Sequence, residues 1–281
     1  MIKIQNVSYQ YDGCGVPALN NISLEINKGE YMALTGPNGC GKTTLIRLLN
    51  ALIRPDEGIV TVHGLDTSIA ANHKEIRRTV GMLFQNPDNQ IVGMTVEEDI
   101  SFGPGNLNWP PQEIRRQVGE ILKNLGLQSL ALRAPHTLSG GEKRLVSLAG
   151  VLIMNPRYIA FDEPTAYLDP LGRRRVLQMM DRLHREGIGI IHITHDINDM
   201  VDAERLLVMD KGEIILDGPP RDILRKMAEN PDSFISMPPV MELMHQLKRR
   251  GWPLTTDILS VEDAERELHR LLASMHREQQ S

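Results

Sequence analysis

The stretch GPNGCGKTT, residues 36–44, decides the fold. Gly36, Pro37, Asn38, Gly39, Cys40, Gly41, Lys42, Thr43 and Thr44 satisfy G-x-x-x-x-G-K-[S/T] at every required position. The stretch also stands where such a loop must stand. The apolar strand pattern YMALTG (31–36) leads into it, and the helical pattern TTLIRLLNALI (43–53), stopped by Pro55, leads away. Its glycines let successive backbone N–H groups wrap a phosphate chain. Lys42 brings a positive charge to the β and γ phosphates, and the Thr43 hydroxyl suits a Mg²⁺ ion.

Further strand patterns surround this unit. IKIQNVSYQY (2–11) and ISLEI (22–26) alternate ahead of it, with a turn at Lys28-Gly29, and GIVTVHG (58–64) follows. Residues 86–150 read as mainly helical and are punctuated by Pro104, Pro110, Pro111 and Pro135. YIAFD (158–162) and IGIIHIT (188–194) resume the strands around a helix at 171–185. RLLVMD and EIILDG form a hairpin about Lys211-Gly212. Strands alternating with helices imply a parallel α/β sheet, with the helical block as an insertion. Beyond Asn230, Pro231, Pro238 and Pro239 mark a linker. Two amphipathic segments follow, too short to fold alone: one with Val240, Leu243, Met244 and Leu247 on a face, the other opened by Ser260 and Asp263 and lined by Ala264, Leu268 and Leu271. The expected division is a domain at 1–230, with its helical part at about 86–150, and a C-terminal extension at 231–281.

Several residues offer chemistry beside the phosphate loop. YIAFDE (158–163) is an apolar strand ending in two carboxylates. Asp162 is placed to reach Mg²⁺, and Glu163, one step on and pointing elsewhere, suits a base that polarises an attacking water. His195 lies just past a strand, where it can face a γ-phosphate; His192, inside that strand, reads as a buried, satisfied side chain. Gln85 ends a short strand and offers a neutral amide to Mg²⁺ or water. Tyr11 offers a ring to stack on a base, although a sheet-face tyrosine has the same pattern. Arg173, Arg174 and Arg175 read as a solvated helix face.

LSGGE (138–142) is a second anion site. Ser139 and Glu142 have capping-box spacing, and Gly140 and Gly141 leave backbone N–H groups uncovered at the start of an apolar-faced helix. One chain thus carries two phosphate-binding features.

Composition narrows the reading. The 281 residues are 41% hydrophobic, and 31 Lys and Arg stand against 36 Asp and Glu, a formal charge of -5. That balance argues against nucleic acid as a partner. Cys14 and Cys40 are the only cysteines and suit a reducing compartment. The longest apolar stretch, about 145–154, falls far short of the roughly 20 residues of a membrane helix. The chain is expected to be soluble or to sit on a membrane only through a partner.

The order Tyr11, GPNGCGKTT, Gln85, LSGGE, YIAFDE, AYLD and His195 resembles that of an ABC-type ATPase over residues 1–220. The resemblance implies a P-loop NTPase fold: a RecA-like parallel sheet core, an antiparallel β subdomain, an inserted helical subdomain and a small C-terminal helical extension. It implies ATP and Mg²⁺ as cofactors, the ion held by Thr43, Gln85 and Asp162. It makes Tyr11 the adenine-stacking residue, Gln85 the sensor, Glu163 the base and His195 the switch histidine. It places Ser139, Gly140, Gly141, Glu142 and Asp169 at the nucleotide of a second chain in a head-to-tail dimer, which accounts for the second anion site. Three residues depart from that pattern: Glu142 replaces Gln, Tyr167 stands where Gly or Ser is common, and Cys40 replaces Ala or Ser, where an exposed thiol is expected to be reactive.

More narrowly, QNPDNQIVGMTVEEDISFG, LSGGEKRLVSLAGVLIMNP and PPVMELMHQLKRRG resemble the ATPase subunit of energy-coupling factor importers of cobalt, nickel or B vitamins. The partners so implied are a second ATPase chain, identical or paralogous, and integral membrane components at the cytoplasmic face. A soluble ABC ATPase acting on nucleic acid or ribosomes is the competing reading, and a phosphate-loop kinase a weaker one that LSGGE and the His195 segment oppose.

Overall fold

The computed structural model describes residues 1–228, 239–256, 258 and 261–278. The expected boundary at Asn230, the prolines Pro231 and Pro238 and the helix start at Ser260 lie outside the described residues.

The N-terminal strands β1 (Ile2–Tyr9) and β2 (Leu19–Ile26) lead into β3 (Tyr31–Thr35), the phosphate loop and helix α1 (Lys42–Leu49). Strands β4 (Glu57–Val62) and β5 (Leu65–Asp66) follow, then α2 (His73–Thr79) and β6 (Val80–Leu83). The helical block holds α3 (Val96–Asn106), α4 (Pro111–Asn124) and α5 (Gly140–Leu152). The chain returns through β7 (Tyr158–Asp162), α6 (Pro170–Arg185), β8 (Gly189–Ile193), the one-turn α7 (Ile197–Met200), β9 (Arg205–Asp210), β10 (Glu213–Gly218) and α8 (Pro220–Ala228). Helices α9 (Pro239–Arg249) and α10 (Val261–Glu278) form the extension.

Two sheets result. β2-β1-β4-β5 is antiparallel. The second runs β10-β9-β3-β8-β7-β6, parallel except for the β9–β10 hairpin. β3, β6, β7 and β8 are buried at every position, because helices or the other sheet cover both faces. One apolar cluster joins the inner face of the antiparallel sheet to α1 and the parallel strands, and a second lies on the opposite face of the parallel sheet under α5, α6 and α8. The helical block has its own core, built on Val96, Ile100, Val118, Leu122, Val146 and Ala149.

Three expectations change. The first helix stops at Leu49 rather than near Pro55, because Ala51 takes a left-handed φ of 52° and Asn50 turns its amide onto the Val80 carbonyl. Pro104 lies inside α3 rather than ending it. In the extension Met241 and Met244 are wholly buried, whereas Leu243 is exposed; Met244, Leu254, Ile258, Ala264 and Leu271 make a separate small core.

Candidate functional site

All five parallel strands end at one edge, where ligands gather in such sheets. The phosphate loop leaves β3 through Gly36 at φ 150°, a position where a Cβ would overlap the Met209 carbonyl. Gly41 caps α1 at φ 108°, and a Cβ there would meet the Ala18 carbonyl. Only glycine fits both points, so the loop is shaped by the β9–β10 hairpin and the 14–18 turn packed against it. The Gly212 N–H donates to the Cys40 carbonyl at 3.0 Å. Lys42 is buried and donates to the Gly36 and Pro37 carbonyls at 2.7 and 2.9 Å, closing the loop around its own ammonium.

Beside the loop, the Thr43 hydroxyl lies 3.1 Å from each carboxylate oxygen of Asp162. Burial pushes the Asp162 pKa up, and the Thr43 hydrogen bond opposes that shift. Glu163 takes φ 48°, which turns its side chain off the strand line. Its two oxygens are held from either side, by Gln85 Nε2 at 2.8 Å and by His195 Nε2 at 2.9 Å. Tyr11 stands at the rim, its hydroxyl 3.2 Å from Thr44 Oγ1 and its ring edge-on to Tyr9. Tyr11, Lys42, Thr43, Thr44, Gln85, Glu163 and His195 line one cleft of about 790 Å³ with Asn38, Gly39, Lys211 and Gly212, and Asp162 lies buried behind Thr43.

Ser139, Gly140, Gly141, Glu142 and Asp169 do not join that cleft. They line a second groove, of about 340 Å³, on the same chain. The capping box forms as the spacing requires: the Glu142 N–H donates to Ser139 Oγ at 3.3 Å, and the Ser139 N–H donates to Glu142 Oε2 at 2.7 Å. Asp169 caps α6 through the Gly172 N–H at 2.9 Å. Tyr167 lines both the cleft and this groove, is 95% exposed and has a left-handed φ of 61°.

Cys40 is a correction. Its thiol is not exposed: the residue is 3% exposed, belongs to the core beneath the loop and does not line the cleft. Burial raises its pKa, and nearby Lys42 only partly offsets this. The start of α1 therefore does not make it a ready thiolate.

The sequence profile of the ABC transporter family matches residues 19–166, more than half of the chain. The chain belongs to the ABC transporter family. Similar curated proteins include the cobalt import ATP-binding protein CbiO of Syntrophus aciditrophicus, 52% identical over 95% of this chain and 96% of that one. The energy-coupling factor transporter ATP-binding protein EcfA1 of Clostridioides difficile is 44% identical over 96% and 99%. Among solved structures, cbiO1 of Clostridium perfringens, part of the ABC transporter complex cbiONQ, superposes with a TM-score of 0.71 at 35% identity, covering 82% of this chain and 95% of that one. A dimeric ATP-binding cassette bound to ADP and Pi superposes equally well, at 30% identity over 78% and 99%. As an ABC transporter ATP-binding subunit, the chain is an ATPase whose hydrolysis of ATP is coupled to transport. Among the described residues, no helix is long and apolar enough to cross a membrane.

Sequence reading passed over the buried charges of this ABC transporter subunit. Arg173, read as solvated, pairs with Asp199 at 2.5 Å and Asp196 at 2.7 Å. Asp199, which is buried, also accepts from Thr165 and Thr194, so it ties the Glu163 loop, the His195 loop and α6 together. His192 is wholly buried as expected but only half satisfied: Nδ1 meets the Tyr31 hydroxyl at 3.1 Å and Nε2 has no protein partner. Arg144 sits in the apolar face of α5. No periodicity flags such residues, because their partners come from distant segments.

Proposed function

We propose that the chain is the ATP-hydrolysing motor of an energy-coupling factor type importer carrying cobalt, nickel or a B vitamin. Tyr11, the loop 36–44 and Lys42 hold ATP. Thr43 and Asp162 offer Mg²⁺ a hydroxyl and a carboxylate, the hard oxygen donors it prefers, and Gln85 adds an amide. Among the described residues no group of three or more His, Cys, Asp or Glu can hold a metal alone, which suits an ion shared with phosphate oxygens. When bound, Mg²⁺ neutralises charge on the phosphates. Glu163 orients and deprotonates the attacking water, and Gln85 and His195 hold its two oxygens in place.

The observation that carries the proposal is the separation of the phosphate cleft from the LSGGE groove on one chain. Two copies, or this chain and a paralogue, placed head to tail bring each cleft against the other's groove. ATP then joins the chains, and its hydrolysis lets them part. The extension at 231–281 keeps the pair together while the sites are open; Leu243, Val261 and Leu272 leave apolar surface on it. Membrane components carry the substrate, and this chain works peripherally at the cytoplasmic face.

Mixed dimers test the arrangement. A chain with Lys42→Ala is paired with one carrying Gly141→Asp, which sets a carboxylate where phosphate belongs. In trans, one of the two composite sites is intact, so the mixture traps one ATP per dimer while each homodimer traps none. If the mixture traps none, LSGGE does not serve the partner. Uptake of labelled cobalt, nickel or vitamins by cells expressing the chain with its membrane components then assigns the cargo.

A further inference from the structure

Arg144 heads the described side chains that the fold buries completely, with 2% exposure. A buried guanidinium is costly unless hydrogen bonds replace its water. Among the described residues it has no carboxylate at ion-pair distance. Its terminal nitrogens donate instead to two successive backbone carbonyls, those of Phe84 and Gln85, the latter at 2.5 Å. Nε has no protein partner.

The same loop is fastened twice more. Lys143, the preceding residue of α5, pairs with Asp88 at 2.6 Å. On the strand side, Gln90 accepts from the Phe84 N–H at 3.2 Å and donates to the Met82 carbonyl at 3.1 Å. Residues 84–90 are thus clamped between β6 and α5. The Gln85 side chain emerges from the clamp to meet Glu163 at 2.8 Å. Arg144 lies about one and a half turns into the helix that Ser139 caps.

We propose that Arg144 is a positioning residue that locks the start of the LSGGE helix to the loop aiming Gln85 at Glu163, so that engagement of the LSGGE groove acts on hydrolysis in the chain's own cleft. The carbonyls, rather than packing volume, account for the charge: an apolar side chain of similar size fills the same space without desolvating a cation. Helix and loop move as one body because both arms of the guanidinium are spent on one peptide segment. The inference rests on the roles proposed above for Gln85, Glu163 and LSGGE.

The test uses the full-length chain. Arg144→Met and Arg144→Lys are compared with Gln85→Ala and Ser139→Ala, singly and paired with Arg144→Met, by MgATP Kd, kcat and thermal unfolding. Arg144→Met lowers kcat about tenfold and moves Kd less than about twofold, and it adds little once Gln85→Ala is present, as for residues acting as a unit. Ser139→Ala likewise costs less kcat in the Arg144→Met background. Arg144→Lys, with one point donor, recovers part of the rate.

Losses that multiply independently, or a Kd that rises in step with a falling melting temperature, overturn the proposal. If Arg144→Met does not fold, Arg144→Lys carries the same two comparisons, and a Lys variant with wild-type kcat and independent effects of the other two substitutions overturns it. Glu163→Gln in the same preparation separates the failures. If Glu163→Gln keeps normal turnover, the site reading is wrong; if it loses turnover while Arg144 effects stay independent, only this inference fails.

Discussion

Thr43 and Asp162 are 119 residues apart in the chain, yet the threonine hydroxyl stands 3.1 Å from both carboxylate oxygens of the aspartate. Thr43 lies in the first turn of α1 and Asp162 ends β7, one strand removed from β3 in the parallel sheet, so the fold itself brings these two oxygen donors together.

Asp162→Asn keeps the hydrogen bond but removes the charge. The Mg²⁺ concentration for half-maximal ATPase activity is expected to rise about tenfold or more, as for other lost ligand interactions at metal sites. A magnesium titration at saturating ATP measures it, and an unchanged midpoint removes Asp162 from the ion's shell.

Glu163→Gln retains the contacts to Gln85 and His195 in shape but cannot take a proton. Turnover should fall by about 10²- to 10⁴-fold while MgATP binding persists. Single-turnover hydrolysis and filter binding separate the two effects. Lys42→Ala, by contrast, should weaken binding itself.

The buried thiol of Cys40 gives a chemical prediction. Iodoacetamide under native conditions should modify exposed Cys14 and leave Cys40 untouched, with or without ATP, because burial raises the Cys40 pKa and closes access. Peptide mass spectrometry reads both sites. Rapid native labelling of Cys40 would show that the loop opens.

His192 predicts a pH dependence of stability. Burial pushes its pKa down to about 3, helped by the Arg173 charge, against about 6.5 in an unfolded chain. The unfolded state therefore binds the extra proton between those values. Above about pH 6.5 the residue adds no pH dependence; as pH falls toward 3 stability drops by about 1.4 kcal/mol per unit, and below 3 the loss is constant. Urea unfolding from pH 7.5 to 4.5 should show that slope, and His192→Gln should lack it.

Much of the cleft was legible because its chemistry comes from short segments whose spacing encodes the geometry. The loop 36–44, the two carboxylates at the end of β7 and the histidine after β8 each sit at a strand end, and parallel strands end together. The capping box was equally local. What escaped reading was non-local. Whether Cys40 faces solvent depends on β9 packing beneath the loop, and whether Arg173 is solvated depends on Asp199, 26 residues on. The early stop of α1 follows from Asn50 finding the Val80 carbonyl, a partner 30 residues away.

The neighbours of β3 have a consequence for synthesis. The strand that leads into the phosphate loop pairs with β8 and β9, and the Gly212 N–H secures the loop at Cys40. A nascent chain that has made only its first 185 residues contains the whole phosphate-loop motif but neither flanking strand nor the hairpin. On the ribosome such a chain exposes β3 with both edges unpaired, a surface prone to wrong pairing. A correctly shaped phosphate loop is therefore expected to arrive late, when residues near 212 leave the exit tunnel, although the loop's own residues are among the earliest made.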